Sequence, residues 1–77
     1  MGKQAARPFD NDTLFAFVID ANERHKEWPT VRDVATHFGV TQSRVTEEIA
    51  AFDTDEGRGV DLISGDRVEA WDDGDET

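Results

Sequence analysis

A chain of 77 residues has room for one small domain with a limited core, and with hydrophobic residues at 36% nearly every large one must be buried. Eighteen acids against eight bases leave a net charge of −10, the opposite of the basic footprint a nucleic-acid binder usually carries. The absence of cysteine excludes disulfides and Cys-based zinc sites, and the longest apolar run, Leu14 to Ile19, is too short to span a membrane.

The charge is unevenly spread. Residues 53–77 carry −8, whereas 30–52 carry only −1. Aspartate outnumbers lysine by eleven to two. That bias suits a high-salt cytoplasm and equally an acidic binding surface, and both stay open. Lys3 and Arg7 have no apolar stretch behind them, so no secretory signal is read and a cytoplasmic protein is expected.

Taken in order, residues 1–8 read as a disordered polar arm, 9–71 as the domain and 72–77 as an acidic disordered tail. Phe9 stands where it can staple a first helix, and Asp10, Asn11, Asp12 and Thr13 offer caps. Leu14, Phe17, Val18 and Ala21 share one helical face, with Phe15 and Ile19 beside it. His25 then faces the negative pole of that helix. Trp28-Pro29 reads as extended, because proline disfavours helix in the residue before it. Trp28 is expected in the core.

A second helix follows. Thr30 caps it, Asp33 sits three residues on, and Val31, Val34, Ala35 and Phe38 line one face. Gly39 comes where a left-handed residue ends a helix, and Thr41 can cap the next. Val45, Ile49 and Phe52 make the buried stripe of a third helix, Gln42 to Phe52. Two helices joined sharply around a glycine form a helix-turn-helix, in which Ala35 must be small and Val45 must plug the angle.

Asp53 to Gly59 reads as a solvated loop; its Asp-x-Asp-x-Gly spacing lacks the ligand series of a calcium loop. Val60–Ile63 and Arg67–Trp71 flank Ser64-Gly65-Asp66, a hairpin signal. A three-residue loop with a Gly-type bulge puts Val60, Leu62, Val68 and Ala70 on one face and Ile63 and Trp71 on the other. The fold class is mainly α with a small β-hairpin.

Pro29, Thr30, Arg32, Asp33, Val34, Ala35, Phe38, Gly39, Val40, Thr41 and Val45 resemble the winged helix-turn-helix family, and are similar to the gluconate-repressor (GntR) type of bacterial regulator. The resemblance covers about a third of the chain well and the hairpin loosely. It departs at Gln42, where that family often has Arg, and at Glu48, where a small apolar residue is usual. It implies three helices plus a wing, and binding of double-stranded DNA through the third helix.

No phosphate loop, nucleophile elbow, Cys–His pair or paired histidines are present, so the sequence points away from an enzyme and calls for no cofactor or metal. The chemistry available is base readout. Arg pairs with guanine, Gln with adenine and Glu with the cytosine amino group. The DNA-binding candidates are therefore Gln42, Ser43, Arg44, Thr46 and Glu47, with Thr41 at the helix N-terminus and Arg32 as a backbone contact. With so few bases, a homodimer is expected to add contacts. The alternative is an acidic interaction module or DNA mimic for a basic protein partner, favoured by Glu47, Glu48, Asp61, Asp66 and Glu69.

Overall fold

A computed structural model provides the fold and describes residues 8–73. Three helices, α1 Asn11–His25, α2 Val31–Phe38 and α3 Gln42–Ala50, precede an antiparallel hairpin of β1 Arg58–Ile63 and β2 Arg67–Asp72. The architecture is mainly helical with a small β part. Residues 1–7 of the expected arm and 74–77 of the expected tail lie outside the described residues. β2 runs into the segment read as tail: Asp72 pairs with Arg58, and the Asp73 N–H donates to the Gly57 carbonyl at 2.8 Å.

Local chemistry sets the helix ends. Asp10 caps α1, its Oδ1 accepting from the Thr13 N–H at 3.0 Å while Thr13 Oγ1 accepts from the Asp10 N–H. That backbone hydrogen bond from Thr13 holds the Asp10 carboxyl below its ordinary range. The helix closes at Lys26, left-handed at φ 62°, which turns the chain into the extended Trp28-Pro29 piece. In α2 the Thr30–Asp33 capping box is complete, because the shorter aspartate still reaches the Thr30 N–H at 3.1 Å. Gly39, at φ 72°, ends it, and the Gly39 and Val40 N–H groups both donate to the Ala35 carbonyl. Thr41 caps α3 through the Arg44 N–H. α3 stops at Ala50, two residues before the expected end, yet Phe52 remains buried through a tight final turn in which its N–H reaches the Ile49 carbonyl.

The core joins every element. Leu14, Val18, Val34, Val45 and Val68 are fully enclosed, each removing about 2 kcal/mol of apolar surface from water. Phe9 packs on Phe38 of α2, ring centroids 4.9 Å apart, and so ties the chain ahead of α1 to the second helix. Trp28 is half-buried at the core's margin. No described helix is long and apolar enough to cross a membrane.

The hairpin has the three-residue loop, with pairs from Arg58↔Asp72 to Ile63↔Arg67. The turn holds two successive left-handed residues, Ser64 at φ 48° and Gly65 at φ 80°. Val60, Val68 and Ala70 are buried as the alternation requires, but Leu62 of the same face is 41% exposed, on an open groove between the hairpin tip and α3. Both strands outrun the expected Val60–Ile63 and Arg67–Trp71. The extended piece covers the free edge of β2: Thr30 bridges Arg67, the Val68 N–H donates to the Pro29 carbonyl and the Val31 N–H to the Asp66 carbonyl, both at 2.8 Å. Proline suits this edge because only its carbonyl is needed.

Candidate nucleic-acid interface

The turn at Gly39 and the cap at Thr41 leave the first turn of α3 projecting from the domain. Val45 and Ile49 face the core, so the opposite side, Gln42, Ser43, Glu47 and Ala50, is exposed. Gln42, Ser43 and Thr46 form one wall of a shallow groove of about 260 Å3, with Val31 at its base and Leu62, Gly65 and Asp66 of the hairpin tip opposite. The fold thus brings three of the seven candidate residues together beside a part of the chain that helix periodicity does not connect to them. Leu62, Gly65 and Asp66 were not among the candidates; the hairpin register predicts their loop but not its position against α3.

The remaining candidates are distributed differently. Glu47 is exposed one turn along from Ser43. Thr41 uses its hydroxyl as the helix cap, and the Thr46 hydroxyl donates to the Ser43 carbonyl at 2.9 Å, which leaves its lone pairs to accept. Arg32 lies on the exposed side of α2, outside the groove.

Arg44 is held within the domain. Its Nη1 lies 2.8 Å from Glu48 Oε1, and its guanidinium covers the Phe9 ring at 5.0 Å. An arginine four residues before a glutamate is the weaker order for such a helix pair. A third group fixes this one: Asn11 Nδ2 donates to Glu48 Oε2 at 2.8 Å, and Asn11 Oδ1 accepts from the Asp53 N–H at 2.9 Å. Glu48 side-chain exposure falls to 13% as a result. Glu48 is therefore the centre of a polar clasp between α3, the start of α1 and the chain after α3.

Among the residues lining the groove there is no base and one acid, Asp66. Such a surface offers hydrogen-bonding side chains and an apolar Leu62 edge, but no guanidinium or ammonium for phosphates. Comparisons with protein-family models, curated proteins and solved structures find no match, so the functional reading rests on the residues of this chain.

Proposed function

We propose that the protein is a small winged helix-turn-helix DNA-binding regulator of the cytoplasm, with α3 as its recognition helix and the hairpin as its wing. The observation that carries this reading is the projecting first turn of α3, with Gln42 and Ser43 exposed side by side against the hairpin tip. Gln42 is suited to adenine, Glu47 to the cytosine amino group, and Ser43 and Thr46 to base edges or phosphate. Arg32 supplies a backbone contact from α2, and Arg44 takes part once released from Glu48. Because the groove lacks bases, two copies acting together on duplex DNA supply the affinity that one copy lacks. Titration of a mixed-sequence duplex at two salt concentrations tests the reading: weak binding with a shallow salt slope is expected, and no binding at low salt and high protein concentration overturns it.

One observation favours a second reading, an acidic module for a basic protein. Asp61 and Glu69 stand directly opposite each other across the hairpin, a like-charge pair that costs stability unless a cation or basic partner is near. A lysine-rich polypeptide that binds the protein while duplex DNA does not would support it.

A further inference from the structure

A second concavity among the described residues lies away from the α3 groove. It holds about 690 Å3 between the C-terminal half of α1, the Trp28-Pro29 segment and the exposed side of α2. That is the size of a small-molecule pocket. Two features distinguish it from the rest of the surface.

The first is charge. The described residues include six lysines and arginines against sixteen acids. Arg24, Arg32 and Arg67 border this concavity, together with only three of the acids, Asp20, Glu27 and Asp33. Half of the described bases therefore gather where they are not outnumbered. The acids are also engaged: Asp20 holds Arg24 at 2.8 Å, Glu27 stands 3.9 Å from Arg67, and Asp33 accepts from the Thr30 N–H. Arg67 also donates to the Trp28 carbonyl. The Arg32 side chain has no hydrogen-bond or ion-pair partner among the described residues. A guanidinium is donor-only, and its fork matches a carboxylate.

The second is aromatic surface. Phe17 and His37 stack with centroids 4.3 Å apart and planes at 21°, and the half-buried Trp28 borders the same space. Flat rings favour a flat apolar ligand.

We propose that this concavity binds a small aromatic carboxylate, its ring against Phe17, His37 and Trp28 and its carboxylate on Arg32. The proposal goes beyond DNA binding and does not depend on it. Benzoate is the probe, titrated into the full chain and followed by NMR, where the two indole N–H signals separate Trp28 from Trp71. Saturable shifts at Trp28, Phe17 and His37, with Trp71 unmoved and a Kd on the order of 1 mM, are expected for so small a ligand. Arg32→Ala, at an exposed position that leaves the fold intact, should weaken benzoate about tenfold, the loss of one charge-assisted pair. Benzyl alcohol, which keeps the ring, and acetate or inorganic phosphate, which keep the anion, should each bind more weakly than benzoate. Absence of a saturable shift at Trp28 overturns the proposal. Equal benzoate affinity in parent and Arg32→Ala, or acetate or phosphate matching benzoate, overturns it as well.

Discussion

The indole of Trp71 occupies the place where a side chain at Gly59 would stand. The two residues are cross-strand partners, and a Cβ at Gly59 would fall 2.3 Å from Trp71 Cζ2. The Trp71 Nε1–H donates to Asp61 Oδ2 at 2.8 Å, which holds the ring along β1. The outer face of the hairpin is thus organised around a missing side chain. Nearby, the Arg58 guanidinium lies over the adjacent Phe15 and Phe52 rings at 4.9 and 5.9 Å and bonds Asp12, joining the start of β1 to α1. The hydrogen bond to Asp12 holds the Arg58 pKa above its already high ordinary value.

Gly59→Ala should therefore destabilise the fold by roughly 1–3 kcal/mol, since the methyl must displace an aromatic ring. In a Trp71→Ala background the same substitution should cost far less, giving a clear coupling in a double-mutant cycle by urea denaturation. Additive losses would mean that the ring does not sit on Gly59.

Ala35 of α2 belongs to the hydrophobic core and is 7% exposed. Ala35→Leu should cost on the order of 1–3 kcal/mol through overpacking. A variant that melts with the parent would contradict close packing around Ala35.

Asp10 gives a pH signature. Its folded pKa is depressed, so the cap's contribution is present above the unfolded aspartate value and is lost as pH falls through the folded one. Asp10→Ala should be less stable than the parent at neutral pH, and the gap should narrow below about pH 4. Thermal melts at pH 7 and pH 3 check this, and a constant gap would contradict the sign.

The DNA-binding proposal orders its residues. Gln42→Ala should lose roughly 1–3 kcal/mol at one base position and relax preference there, while Arg32→Ala should weaken all sequences alike. Arg44→Ala should lower stability as well as affinity, because its guanidinium is clasped to Glu48. Equal losses on every sequence for Gln42→Ala would show that α3 does not read bases.

Truncation tests the charge. Since Asp72 pairs with Arg58 and Asp73 bonds Gly57, the informative deletion starts after Asp73 and removes Asp75 and Glu76 without touching the strand. It should tighten DNA binding, chiefly at low salt where screening is weak. Tightening that is equally large at high salt would assign the effect to something other than charge.

The sequence by itself determined where α2 and α3 begin and where α2 ends, while for α1 it offered four caps, of which the structure uses Asp10. Asp10, Thr30, Gly39 and Thr41 act on backbone groups within four residues, so their work is visible in any short window. It also determined the hairpin register, because a three-residue loop and the alternation of Val60, Val68 and Ala70 admit one pairing. Tertiary structure decided the rest. Gly59 reads as loop, but pairs with Trp71 as part of β1, and the indole takes the space a side chain would need. Leu62 follows the buried alternation, and is exposed because α3 leaves an open groove beside the hairpin tip. Arg44 reads as a free base-reading arginine, and is held by a glutamate whose other oxygen is bound by Asn11, 37 residues away. Contacts between residues so far apart leave no period in the chain, and they choose which polar side chains of α3 remain open to a partner.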